Sequence, residues 1–229
     1  MIGILIALQI NNLNGQKKER AKETLYLRSL KDELQDINRV ATQRLNYELT
    51  MQSTCEKALF MINSDSINLD SLSAILNSIS TRTSFVSYNP IFEEMKFSGN
   101  LALLQNNDFK NALTEFYEGM DYIAYVVGAN NERFMDGLIL FLMQYPFSDY
   151  GMLEKRKMGV SRAPFKTIAF KEAHEVQSKL LSNPIDKFKL HNHLANRISV
   201  TAVHVSLYQG LKHDTDSLST LIDLELKSR

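Results

Sequence analysis

Five histidines, one cysteine and a triplet of carboxylates are the side chains in this 229-residue sequence best suited to chemistry. A di-iron centre in a helical bundle needs Glu-x-x-His pairs on facing helices, so that carboxylate and imidazole converge on the metal. No Glu here stands three residues before a His. His191 and His193 are two apart on a predicted helix and point to different sides. His193 and His204 share a face but lie ~16 Å apart at ~1.5 Å per residue. His174 sits beside Glu172 and Glu175 on a face expected to be solvated. Ligand geometry for a metal is therefore missing. Glu115, Glu118 and Asp121 fall on one strip of a helix, but acid–base work requires environments that separate their pKa values. A solvated face accounts for the strip more simply. Cys55 stands alone, which excludes an intrachain disulfide or a Cys-based zinc site and reads as a small helix residue. The phosphate-cradling glycine loops, the G-x-S-x-G elbow and H-E-x-x-H are all absent. The expectation is a protein with no catalytic, cofactor-binding or metal-ligating residue, and not an enzyme.

Charge narrows the partners. Lys plus Arg and Asp plus Glu number 26 each, so the net charge is zero. Nucleic-acid binding needs a clustered positive field, and none is expected here. With 44% hydrophobic residues, nine Gly and four Pro, the composition suits long helices around a buried core.

Helical spacing positions nearly every apolar residue. From Asn14 to about Ile62 one helix is predicted. Leu27, Leu30, Leu34, Ile37 and Ala41 alternate in steps of three and four, the seam of a coiled coil or bundle helix. Leu45 and Leu49 follow at steps of four, a predicted stutter, before Cys55, Leu59 and Ile62 resume the seam. This seam serves either a homo-oligomer formed through the stalk helix or packing against the protein's own later helices. Leu69 to Ile79 makes a short amphipathic helix, Ser84 to Pro90 an extended connection, and Pro90 starts a helix that Gly99 stops. A long helix is predicted from about Asp108 to Tyr145, with Phe116, Tyr117, Met120, Phe134 and Phe141 on its apolar face. Pro146 to Pro164 lacks periodicity and carries Lys155, Arg156, Lys157 and Arg162, four cations suited to an acidic protein partner or lipid headgroups. Helices from Phe165 to Ser182 and from Asp186 to about Lys227 complete the chain. Leu190, Leu194, Ile198, Val205, Tyr208, Leu211, Leu218 and Ile222 form the stripe of the last one, with Thr201 and Thr215 as interruptions.

The opening, MIGILIALQINNLNGQKKER, is of another kind. Ile2, Ile4, Leu5, Ile6, Leu8 and Ile10 leave no polar face on a helix, as in a protein core or a membrane. Met1 to Asn12 would rise ~18 Å, against a hydrocarbon core of roughly 30 Å. It lacks the basic n-region and cleavage site of a signal peptide.

IGILIALQINN, followed by KKERAKETLYLRSLKDEL, resembles the start of a family of uncharacterised bacterial single-pass membrane proteins with an all-helical domain of unknown function. SGNLALLQNNDFKNALTEFY, Ser98 to Tyr117, resembles it more loosely. Leu13 stands where that family usually has Trp, and the upstream half of its membrane segment is missing, as a misassigned start or a trimmed sequence would produce. The resemblance implies a membrane anchor and an all-helical body, and no activity. Lys17, Lys18, Arg20 and Lys22 favour a cytoplasmic body by the positive-inside rule. Members of the family usually carry upstream basic residues too, and large domains translocate largely regardless of charge. An extracytoplasmic body is expected.

The fold class expected is all-α, a long N-terminal stalk helix running into an antiparallel bundle of three long helices with shorter ones docked. Residues 1–12 form the end of a transmembrane helix, 13–64 the stalk, and 65–229 the bundle that the stalk completes. The expected function is a membrane-anchored binding or scaffold module of the bacterial envelope with an unidentified protein partner. The alternatives are an extracytoplasmic ligand-sensing bundle signalling through a partner and an enzyme with an unrecognised helical site.

Overall fold

A computed structural model describes residues 2–145 and 172–227, and every regular element among them is helical. Helix α1 runs from Ile2 to Ile62, α2 from Leu69 to Ile79 and α3 from Pro90 to Phe97. A 3₁₀ turn, Asn100–Leu103, leads into α4, Asn107–Asn130. A π-helical turn, Asn131–Met135, joins α4 to α5, Asp136–Leu142, and α6 (Ala173–Ser182) and α7 (Pro184–Lys227) follow. The all-α fold with a long N-terminal helix and further helices packed together stands as expected.

The local signals act as their chemistry requires. Asn68 caps α2 by accepting the Ser71 N–H at 2.8 Å. Pro90 opens α3, where its missing N–H costs nothing. Gly99 takes the left-handed φ of 72° that turns the chain out of α3, a conformation in which a side chain would be strained. Asn106 caps α4 through Oδ1, which accepts the N–H groups of Asp108 and Phe109 at 3.0 and 3.2 Å.

Contacts divide the chain into two compact units, neither of them a continuous stretch. One comprises residues 1–43, 86–124 and 207–229, the other residues 44–85 and 125–206. In the first, Leu27, Leu30 and Leu34 of α1 are buried, as are Phe92 and Met95 of α3, Leu113, Tyr117 and Met120 of α4, and Leu211 and Ile222 of α7. Phe92 stacks on Tyr117 with ring centroids 4.2 Å apart. The second unit packs Met51, Cys55, Ala58 and Ile62 of α1 against Leu72, Leu76, Leu138, Leu180, Leu190 and Leu194. Each side chain fully removed from water contributes ~1.5–3 kcal/mol.

Three expectations need correction. First, the helix predicted from Asn14 begins at Ile2, so the apolar opening and the stalk are one helix. Asn and Gly there lower propensity by under ~1 kcal/mol each, too little to stop it. Second, the seam of α1 has no stutter. Leu49 is 45% exposed, and the buried run Ala41, Glu48, Met51, Cys55, Ala58, Ile62 keeps the alternation of three and four through Arg44 and Glu48. Third, the long fourth helix is not uniformly α. Val127, Asn131 and Met135 are buried at two successive steps of four, and the π turn supplies the extra residue. The seam of α7 likewise takes Arg197, Thr201, His204 and Thr215 as buried members, while Ile198 and Val205 are only half-buried.

Candidate functional site

Two features of the first unit face solvent in a way that structure alone does not require. One is the start of α1: Ile4, Ile6, Leu8, Ile10 and Leu13 are 51–69% exposed. Exposed Lys17, Lys18, Arg20 and Lys22 follow them directly. The other is a groove of about 600 Å³ beside that basic turn, lined by Glu19, Arg20, Glu23, Gln105, Asn106 and Glu225 among others. Hydrogen bonds tie parts of its lining together. Glu23 is buried and accepts the Gln105 N–H at 3.3 Å, and Asn106 Nδ2 donates to Glu225 Oε1 at 2.6 Å. Next to these, Lys22 Nζ donates to Asn100 Oδ1 at 2.8 Å, Asn100 Nδ2 donates to the Tyr26 hydroxyl at 2.8 Å, and that hydroxyl donates to Glu94 at 2.6 Å. These bonds fix the turn around Gly99 against α1.

Buried polar groups form two further clusters. In the second unit Glu48, Arg197, Thr201 and His204 are each no more than 2% exposed. Glu48 Oε2 accepts from Arg197 Nη1 at 3.1 Å and from the Thr201 hydroxyl at 3.2 Å. Arg197 Nη1 also donates to Thr201 Oγ1 at 2.9 Å. His204 Nδ1 lies 3.2 Å from Glu48 Oε1, and Asn130 Nδ2 lies 3.3 Å from His204 Nε2. Burial presses the Glu48 carboxyl upward, but the His204 hydrogen bond and the Arg197 charge together hold it below 4.5. Cys55 is buried in the same unit, and burial raises its thiol to about 11, so it stays protonated and inert.

The first unit has the other cluster. Glu33 Oε1 accepts the Tyr117 hydroxyl at 2.5 Å, and Oε2 accepts the Ile91 N–H at 2.8 Å. Glu33 thus satisfies an orphan donor at the start of α3. Burial raises its pKa above 4.5 despite the lowering effect of those donors. Both clusters are closed to solvent, and their chemistry is that of fixing helix against helix.

The model of a family of unknown function, DUF6090, matches residues 1–137. The chain belongs to the DUF6090 family. No curated protein and no solved structure matches it. The DUF6090 match takes in the apolar start of α1, most of the groove, and Glu33, Glu48, Tyr117 and Asn130. Arg197, Thr201, His204 and Glu225 lie beyond it.

Sequence-predicted positions fall out as follows. Ile4, Ile6, Leu8 and Ile10 are exposed, and the side chains of Ile2 and Leu5 lie outside the described residues. Lys155, Arg156, Lys157 and Arg162 also lie outside them. Glu115, Glu118 and Asp121 are exposed as a solvated strip. His193 packs on Phe141 at 4.9 Å, where burial lowers its pKa, and His174 Nε2 meets Asp70 at 2.9 Å on the surface. Among the described residues no three His, Cys, Asp or Glu side chains gather to hold a metal ion. Sequence reasoning missed Glu48, Arg197 and His204. The signal was present: carrying the three-four alternation through α1 and through α7 lands on them.

Proposed function

We propose that this chain is a membrane-anchored helical module of the bacterial envelope that acts by binding. The observation that carries the reading is the exposure of Ile4, Ile6, Leu8, Ile10 and Leu13 along the first turns of α1. A contiguous apolar surface of this kind marks contact with lipid or a partner. Among the described residues no helix is long and apolar enough to cross a membrane. The twelve residues Ile2 to Leu13 rise ~18 Å, against ~15 Å for half of a hydrocarbon core, so they fill one leaflet. Lys17, Lys18, Arg20 and Lys22 then reach the headgroups, where each contributes ~1 kcal/mol on an anionic surface.

Flotation with lipid vesicles tests this. The chain is expected in the floating fraction, and Ile6→Asp with Leu8→Asp is expected in the aqueous one with its helical circular dichroism unchanged. Each buried aspartate would cost roughly 2.5–3.5 kcal/mol in the hydrocarbon. A parent chain that stays with the aqueous fraction overturns the reading.

The groove supports a second reading, a ligand-sensing bundle that signals through a partner. Its size lies in the range of small-molecule sites, roughly 300–1,000 Å³. Thermal shift against a small-molecule panel tests it, and a flat response across that panel rejects it.

A further inference from the structure

Two buried polar atoms of the second unit, Arg44 Nε and Thr83 Oγ1, have no hydrogen-bond partner. Native interiors seldom leave such groups unpaired, because each gives up its hydration without return. Arg44 holds a seam position of α1, between buried Ala41 and buried Glu48, and is itself half-buried. Among the described residues no carboxylate pairs with its guanidinium. Glu48, one turn along α1, is held by Arg197 and His204, and Asp136 is held by Arg82. Glu132 of the π turn is exposed and forms no ion pair. Arg44 is thus a seam cation without a counter-ion.

The backbone brings Thr83 alongside it. Tyr47, one turn after Arg44 and ~60° round the helix from it, donates to the Thr81 carbonyl at 2.8 Å. Burial alternates residue by residue from Thr81 to buried Phe85, as in an extended chain, so Thr81 and Thr83 share a side. The chain then runs antiparallel to α1, since the Ile91 N–H reaches Glu33. Thr83 stands ~6.6 Å past Thr81, and Arg44 ~4.5 Å before Tyr47. Asn131, the first residue of the π turn, fixes Thr83 there by donating Nδ2–H to its carbonyl at 2.9 Å.

The chemistry of these two groups selects a ligand. Nε–H and one Nη–H of a guanidinium form parallel prongs that match two oxygens of a carboxylate or phosphate. The Thr83 hydroxyl adds a third donor. Charge decides between the two anions. A carboxylate neutralises the single cation, whereas a doubly charged phosphate would leave surplus negative charge one turn from Glu48. We propose that Arg44 and Thr83 bind the carboxylate of a small organic acid. This site is independent of the membrane-anchored reading and goes beyond it.

Acetate is the probe on the full chain, with chloride at equal ionic strength as the control. The Arg44 Nε–H resonance, identified by its loss in Arg44→Lys, should shift saturably with acetate and stay still with chloride. Thr83→Val should bind acetate about fivefold more weakly, as loss of a ~1 kcal/mol hydrogen bond gives. Acetate should also raise the urea midpoint of the parent above its value in chloride, and leave those of Arg44→Lys and Arg44→Met unmoved, since the lysine keeps the charge but not the fork. A shift that grows linearly with acetate, or one that chloride reproduces, would overturn the site. Phosphate binding as tightly as acetate would overturn its assignment to a carboxylate.

Discussion

At the scale of single residues, the buried Glu48 is the most consequential position in the second unit. Removing its carboxylate leaves the Arg197 charge in the interior with no counter-ion among the described residues. Glu48→Ala should therefore cost ~3–5 kcal/mol by urea unfolding. Replacing both partners, Glu48→Met with Arg197→Met, should cost far less or even stabilise, because the desolvation of two charges is then avoided. A double variant as unstable as the single one would contradict this account. Glu48 and Glu33 also make opposite predictions about pH. The Glu48 pKa is lowered in the fold, so its contribution is present above 4.5 and is lost as pH falls through the folded value. The Glu33 pKa is raised, so ionising it costs stability as pH rises from 4.5 through the folded value. Glu48→Gln should flatten the acid limb of a stability–pH curve, and Glu33→Gln should flatten the decline just above 4.5.

At the scale of elements, the α1 seam makes a prediction that separates two readings of the same leucines. Leu49, half exposed, should lose under ~0.5 kcal/mol on substitution by alanine, whereas the buried Leu34 should lose ~2–5 kcal/mol. Chemical denaturation of the two variants checks this, and equal losses would restore the stutter. Gly99→Ala should cost ~1–2 kcal/mol, since its φ of 72° strains any other residue. Much of the helix plan was legible beforehand. Asn68, Pro90 and Gly99 act on the chain within one turn of themselves, and apolar periodicity reports burial directly. What a search for apolar residues passed over was polar burial. A search for greasy residues at steps of three and four prefers Leu45, Leu49, Ile198 and Val205. The fold instead keeps strict alternation and buries Glu48, Arg197, Thr201 and His204, which neutralise one another only once the helices meet. The exposed apolar start of α1 was legible because Ile2 to Leu8 holds no polar side chain. The groove was not, since its walls come from residues about 200 positions apart, Gln16 and Glu225.

At the scale of the whole molecule, the family match and the packing units divide the chain differently. DUF6090 ends its match at residue 137, yet α7 gives Leu190 and Leu194 to one core and Leu211 and Ile222 to the other. A fragment ending at residue 137 should therefore keep helical circular dichroism but lose cooperative unfolding and dispersed side-chain NMR signals. A sharp denaturation midpoint for that fragment would show that the matched region folds by itself. One thiol, sealed in a hydrocarbon interior and protonated up to about pH 11, leaves the native surface free of reactive sulfur. Maleimide probes will accordingly ignore the wild-type chain, so cysteines introduced one at a time, at Gly15 or Lys57 for instance, can be labelled without first replacing Cys55. The slow appearance of Cys55 labelling then becomes an intrinsic clock for the opening of the second unit.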